Sequence, residues 1–256
     1  MIGRVRFSAW AVAALMLLAG CSSEAAKSPP APAPSPSASA PIVVYAAVGA
    51  SETVGVGAKD PTTDSWPQVF YRTALPQAAV YYNFGISGDT VSGASTDQAP
   101  DALAVHPTLV TVWLNVNDLL AGVPAAGYHD QLATLLRALR RGGATQVLVA
   151  NVPALDRLPV YLACHGGTST AAIRCPASPV ASLGPLAINT LVDAYNAAIA
   201  DAVRKAGAVL VDLHARGEAP DSHPDWVSAD GFHPSTAGYA AIAEAFAAAY
   251  RGLNTR

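Results

Sequence analysis

The chain has 256 residues, of which 52% are hydrophobic and 13% are charged. This composition excludes a disordered polyelectrolyte and predicts a folded core. The 15 lysine and arginine residues against 18 aspartate and glutamate residues give a net charge of −3 without a basic block, so we expect no nucleic acid partner.

The first 20 residues have the pattern of a signal peptide. Arg4 and Arg6 precede an apolar run over residues 9–19, which is shorter than the about 20 residues that a membrane-spanning helix needs. The run ends in LLAGC, which resembles the bacterial lipobox and implies a lipid anchor on Cys21. We expect an exported protein, lipid-anchored on the extracytoplasmic side of the bacterial membrane. An ordinary secreted protein cleaved near Ala19 is the alternative.

Residues 21–41 form the predicted tether. After Cys21 this stretch is a mixture of serine, alanine and proline without a large apolar residue, so it cannot bury a core and should be extended. Residues 42–256 have the length of one domain, which we expect to be monomeric.

Five short apolar runs in this domain predict strands, at residues 42–48, 79–82, 109–114, 146–150 and 208–211. They lack polar alternation, which is typical of strands buried on both faces. Between and after them, residues 132–139, 188–203 and 241–249 have helical spacing or alanine-rich composition. This order predicts a three-layer α/β/α domain with a parallel sheet of about five strands.

Residues 153–185 fit neither period and contain Cys164 and Cys175. In an exported protein whose Cys21 is lipidated, these two cysteines are predicted to form a disulfide. The alternative is a metal site that includes His165, for which four suitably spaced ligands are not visible. We expect no metal and no cofactor.

Polar clusters follow the predicted strands: GAS at 49–51, NFGISGDT at 83–90 and NVND at 115–118, with DGFHP at 230–234 before the last helix. Because ligands of parallel sheets bind at the carboxyl ends of the strands, these clusters should share one rim. In this order they resemble the motifs of the SGNH (GDSL-type) hydrolase family, which has a flavodoxin-like α/β/α fold. Two positions differ from its motifs: Ala50 replaces an aspartate and Asn115 replaces a glycine.

The resemblance implies that Ser51 is the nucleophile and that Asp230 and His233 supply the base. A serine hydroxyl needs such a base, and histidine can accept its proton near neutral pH. The three-residue separation allows the Asp230 carboxylate to orient the His233 ring. Taken alone, Asp230 could cap a turn and His233 could be an ordinary loop histidine.

The resemblance also implies three oxyanion donors: the backbone N–H groups of Ser51 and Gly88 and the side-chain amide of Asn117. A turn glycine and an Asx turn are the structural alternatives for Gly88 and Asn117. We expect Asp118 to cap the loop that follows it or to form hydrogen bonds within that loop, and not to act chemically. Asp221, Asp225 and Trp226 either line the entrance or belong to a solvated loop, and Trp113 belongs to the core.

The expected function is a serine esterase that acts on an acyl lipid or an acetylated glycan. A lipoprotein that binds a glycan or lipid in the same cleft without turnover is the main alternative, motivated by Ala50 and Asn115. A cell-wall O-acyltransferase would use the same residues, and the acyl length and alcohol part of the substrate are not determined by the sequence.

Overall fold

The computed structural model describes residues 42–168, 170–216 and 222–253. The predicted signal peptide over residues 1–20, the lipidation site at Cys21 and the tether up to residue 41 lie outside the described residues. Within them, a five-stranded parallel sheet has the order β2-β1-β3-β4-β5. Its strands are β1 Val44–Gly49, β2 Val80–Asn83, β3 Leu109–Trp113, β4 Gln146–Ala150 and β5 Val209–Val211.

Helices connect and follow these strands, as the alternating sequence pattern predicts. Their bounds are α1 Ser51–Val54, α2 Pro61–Asp64, α3 Trp66–Ala74, α4 Val91–Asp97, α5 Ala99–Ala104, α6 Val116–Leu120, α7 Ala125–Arg140, α8 Pro159–Cys164, α9 Pro185–Ala206 and α10 Thr236–Leu253. Short 3₁₀ turns occur at Arg141–Gly143, Leu155–Arg157, Val180–Ser182, His214–Arg216 and Pro224–Trp226. Among the described residues, no helix is both long enough and apolar enough to cross a membrane.

The sheet separates two hydrophobic cores. Successive strand residues point to opposite faces, so Ala46 and Val48 pack on the side of α4, α5, α7 and α9, whereas Tyr45 packs on the side of α3 and α10. In the second core, Trp66 of α3 stacks on Phe246 of α10 with ring centroids 4.0 Å apart. This arrangement is the predicted three-layer α/β/α domain.

The expectation of burial on both faces holds for the central strands and is wrong for β2. Val80 and Tyr82 are 42% and 40% exposed. The reason is that β2 is an edge strand, which pairs only with β1, and an edge position receives less cover from the flanking helices.

The segment over residues 153–185 contains the short helix α8, which the sequence pattern does not reveal. Its last residue, Cys164, forms a disulfide with Cys175, with the Cα atoms 5.7 Å apart. The disulfide is the predicted one. Since both sulfur atoms are used in this bond, neither thiolate is available for the alternative metal site with His165.

Candidate active site

Ser51 lies at the point where β1 ends and α1 begins. The turn into α1 is tight: a Cβ atom on Gly49 would lie 1.9 Å from Thr53 Oγ1 and 3.0 Å from the backbone oxygen of Trp113. Only glycine fits this close approach. The turn leaves Ser51 6% exposed at the carboxyl end of the sheet.

Three side chains form a continuous hydrogen-bonded row at this position. The Ser51 hydroxyl lies 3.0 Å from Nε2 of His233. On the other side of the ring, Nδ1 of His233 lies 2.6 Å from Oδ2 of Asp230. When Nδ1–H donates to the carboxylate, Nε2 is free to accept the serine proton. His233 is therefore within hydrogen-bond reach of both Ser51 and Asp230, the two other residues that the sequence selected.

Asp230 is held in its charged form by its surroundings. Its Oδ1 atom accepts hydrogen bonds from the backbone N–H of Phe232 at 2.8 Å, the backbone N–H of His233 at 3.0 Å and the Ser228 hydroxyl at 2.7 Å. Burial alone would raise the pKa of Asp230, but the hydrogen bonds from His233, Phe232 and Ser228 lower it below its usual value. The carboxylate can thus orient His233 and stabilise its imidazolium form.

The residues selected as oxyanion donors belong to the same rim. Gly88 has a φ of +83°, a conformation that side chains disfavour. The Asn117 amide donates to the backbone oxygen of Asp89 at 2.8 Å, which leaves its second N–H available. The backbone N–H groups of Ser51 and Gly88 donate to no other group within the described part of the chain. The arrangement therefore retains three donors for a negatively charged oxygen.

The expectation that the Asp118 side chain caps the loop that follows it, or forms hydrogen bonds within that loop, is wrong. The Asp118 carboxylate accepts from the backbone N–H of Val91, the first residue of α4, at 3.1 Å. This contact ties the Asn117 segment to the helix that follows Gly88 and Asp89. Asp118 is fully buried, and burial raises its pKa to about 6, although the hydrogen bond from Val91 opposes the rise.

Gln98 connects two parts of the candidate site, and sequence reasoning missed it. Its side chain accepts from the backbone N–H of Gly49 at 2.9 Å and donates to the backbone oxygen of Gly49 at 2.9 Å. The same amide nitrogen lies 2.6 Å from Oδ2 of Asp89. Gln98 thereby connects the turn before Ser51 with the loop that carries Gly88. It lies between α4 and α5, outside every recognised motif, so no sequence signal marks it.

Glu52 is a second residue of the candidate site that sequence reasoning missed. It is 8% exposed, and its Oε2 atom lies 3.3 Å from the Ser51 hydroxyl. Burial raises the pKa of Glu52, against the effects of its own backbone N–H and of the nearby His233. The sequence shows that an acidic residue directly follows Ser51, and this was the available signal. The burial of that residue could not be predicted, because helix periodicity does not show it.

The two positions that differ from the motifs are both buried. Ala50 is buried at the start of α1. The Asn115 amide donates to the backbone oxygen of Ala150 at 3.2 Å and so connects the ends of β3 and β4. Neither residue occupies one of the five positions that the resemblance assigns to catalysis.

The other histidines contact side chains or backbone groups outside the row of Ser51, His233 and Asp230. His129 contacts Asp201, His106 contacts Arg141, His214 contacts the backbone of Val152, and His223 stacks on Trp226. Within the described ranges, no three His, Cys, Asp or Glu side chains form a group that could hold a metal ion. Trp226 lines a cavity beside the rim, whereas Asp221 lies outside the described residues.

Residues 47–241 match the model of the GDSL-like lipase/acylhydrolase family. No curated protein matches the chain. Among solved structures, TesA has a TM-score of 0.61 at 22% identity, over 82% of this chain and 99% of that chain. The esterase EstA from Pseudoalteromonas sp. has a TM-score of 0.59 at 15% identity, over 83% and 99%. A family 3 carbohydrate esterase from Clostridium thermocellum has a TM-score of 0.59 at 18% identity, over 83% and 97%.

Proposed function

We propose that this chain, which belongs to the GDSL-like lipase/acylhydrolase family, is a serine esterase that hydrolyses carboxylic esters through an acyl-enzyme. One observation carries the proposal: the hydrogen-bonded row from Ser51 to His233 at 3.0 Å and from His233 to Asp230 at 2.6 Å. This row is the arrangement that turns a serine hydroxyl into a nucleophile.

In the first half of the proposed reaction, Ser51 Oγ attacks the ester carbonyl carbon while its proton moves to Nε2 of His233. The carbonyl oxygen becomes an oxyanion that accepts hydrogen bonds from the backbone N–H groups of Ser51 and Gly88 and from Asn117. When the tetrahedral intermediate collapses, the bond to the alcohol oxygen breaks. His233 gives its proton to that oxygen, so the alcohol leaves neutral and the acyl group stays on Ser51.

In the second half, a water molecule attacks the acyl carbon and gives a proton to His233. The second tetrahedral intermediate collapses with release of the carboxylic acid, and the proton returns from His233 to Ser51. Asp230 remains a carboxylate throughout, consistent with its lowered pKa.

Labelling with a fluorophosphonate and hydrolysis of p-nitrophenyl esters test the proposal. We expect the wild-type protein to be labelled and active, and Ser51→Ala to be unlabelled and inactive with an unchanged circular dichroism spectrum. A folded Ser51→Ala protein that keeps most of its activity would refute the serine mechanism. A wild-type protein that is neither labelled nor active would instead favour a binding lipoprotein, and acyl transfer to an added acceptor in competition with water would favour an acyltransferase.

We further propose that the enzyme is exported and held at the membrane by lipid on Cys21. The support is the apolar run over residues 9–19 that ends in LLAGC, since two or more acyl chains give stable membrane attachment. The test is fractionation of cells that produce Cys21→Ser. We expect the variant to leave the membrane fraction, and a variant that stays there after signal cleavage would contradict the anchor.

A further inference from the structure

A cavity of about 120 Å³ lies next to the row of Ser51, His233 and Asp230, because chain neighbours of Ser51 and His233 line it. It is lined by Glu52, which follows the proposed nucleophile, and by Phe232 and Pro234, which lie on either side of His233 in the chain. Most of the remaining lining is leucine, isoleucine, valine and proline, together with the rings of Trp113 and Trp226. Among the described lining residues, Glu52 is the only one with an ionisable side chain.

The Glu52 carboxyl group is buried without a permanent cationic partner. It takes part in no salt bridge of the described residues, and its Oε2 atom accepts a hydrogen bond from the neutral Ser51 hydroxyl. Taking an unpaired carboxylate out of water is costly. A cation that enters the cavity would offset this cost, and it would favour the ionised form of Glu52.

The aromatic rings in the lining of the cavity also suit a cation. The faces of tryptophan and phenylalanine attract ammonium groups, most strongly where the cation is removed from water. Trp113, Trp226 and Phe232 line the same cavity as Glu52, and one face of the Trp226 ring is stacked on His223. The aliphatic lining suits the alkyl groups of a tertiary or quaternary ammonium ion. A neutral alkyl chain would use the apolar lining but leave Glu52 unpaired.

The position of His233 indicates which part of an ester faces the cavity. His233 has to reach the leaving alcohol oxygen in order to protonate it, whereas the carbonyl oxygen faces Gly88 and Asn117. Because Phe232 and Pro234 flank His233 and line the cavity, the alcohol part of the substrate lies on the cavity side.

We propose that this cavity binds the ammonium group in the alcohol part of the substrate, so that the enzyme acts on esters of amino alcohols. The inference rests on the proposed esterase function and adds the substrate class to it.

Two esters of the same shape separate charge from size. Butyrylcholine carries a quaternary nitrogen where 3,3-dimethylbutyl butyrate carries a carbon atom. Each kcat/KM is divided by the rate constant for hydroxide-catalysed hydrolysis of the same ester, because the ammonium group also makes choline a better leaving group. We expect the corrected ratio to favour the choline ester by about tenfold or more.

Glu52→Gln should bring this ratio close to one, because the side chain keeps its size but loses its charge. Glu244→Gln is the matched control: Glu244 is an exposed glutamate of α10 that pairs with Arg251, and its variant should keep the wild-type ratio. Near-ultraviolet circular dichroism shows whether Glu52→Gln folds. Trp226→Leu is a second test that does not depend on that variant: it removes one ring of the cavity and should also lower the ratio.

Equal corrected rates for the two esters in the wild-type protein would overturn the proposed ammonium site and favour an alkyl chain in the cavity. The esterase function would survive that result, provided that Ser51→Ala is inactive. A ratio that survives both Glu52→Gln and Trp226→Leu would place the cation elsewhere and would also overturn the proposal. A wild-type protein that hydrolyses neither ester and also does not react with a fluorophosphonate would refute the esterase function itself.

Discussion

Replacement of Asp118 by asparagine should stabilise the protein at alkaline pH while leaving its stability at acid pH almost unchanged. Asp118 is fully buried, and its carboxyl oxygens lie 3.1 and 3.3 Å from the backbone nitrogen of Val91. An asparagine oxygen can accept the same hydrogen bond without carrying a charge. The variant therefore isolates the cost of ionising a carboxyl group at this position.

The magnitude follows from the pKa, which burial raises from 3.8 to about 6 in the folded protein. The folded state binds the proton of the Asp118 carboxyl group more tightly than the unfolded state does. Protonated Asp118 therefore stabilises the folded protein fully below about pH 4, and this stabilisation is lost as the pH rises through 6. A difference of about two pKa units corresponds to about 3 kcal/mol. Asp118→Asn should therefore exceed the wild type by about 3 kcal/mol in free energy of unfolding at pH 8, and by little at pH 4.

Urea unfolding followed by circular dichroism at pH 4, 5, 6, 7 and 8 measures this difference. Glu52 and the other titrating groups are present in both proteins, so their effects cancel in the comparison. Asp97→Asn, at an exposed position at the end of α4, is the matched control and should follow the wild type at every pH. The reasoning is wrong if the difference between Asp118→Asn and wild type is constant across this range.

Three further predictions concern the rim and the disulfide. Asn117→Ala should lower kcat by about 10²–10³ with little change in KM, because the amide is proposed to bind the oxyanion more strongly than the ground-state carbonyl; an effect on KM alone in steady-state kinetics would contradict this role. Gln98→Leu should lower kcat by about 10² while changing KM less, because it releases Gly49 and Asp89 together and misplaces Ser51 and Gly88; a loss of stability without a kcat effect would make Gln98 merely structural. The double variant Cys164→Ser/Cys175→Ser should lose about 3 kcal/mol of stability in urea unfolding, and unchanged stability would mean that the disulfide does not constrain the unfolded chain.

The sheet was predictable because each strand is a short apolar run between helical segments. Residues 146–150 coincide with β4, and the other four predicted strands differ from the observed ones by one or two residues at their ends. The exposure of β2 was not predictable from the run itself. Val80 and Tyr82 are as apolar as residues of β1, and only the order of the strands makes β2 an edge.

The candidate site was predictable where its residues follow the strands in recognisable motifs. The structure brings Ser51, Asp230 and His233 to hydrogen-bond distances, as the resemblance implied. The supporting contacts were not predictable, because they join residues far apart in the chain. Gln98 contacts Gly49 across 49 positions, and Asp118 contacts Val91 across 27. Neither spacing corresponds to a local period.

These distant contacts also explain how the site can keep its geometry although Ala50 replaces the aspartate that precedes the nucleophile in the family motif. Ala50 has no polar side chain with which to fix the turn, but Gln98 holds both backbone groups of Gly49. Asp89 then links Gln98 to Asn117 through its carboxylate and its backbone oxygen. Because hydrogen bonds in a connected, partly buried network support one another, we expect the position of Ser51 relative to its proposed oxyanion donors to depend on Gln98 and Asp89 more than on residue 50. The departure from the motif at Ala50 is therefore weak evidence for a protein that binds without turnover.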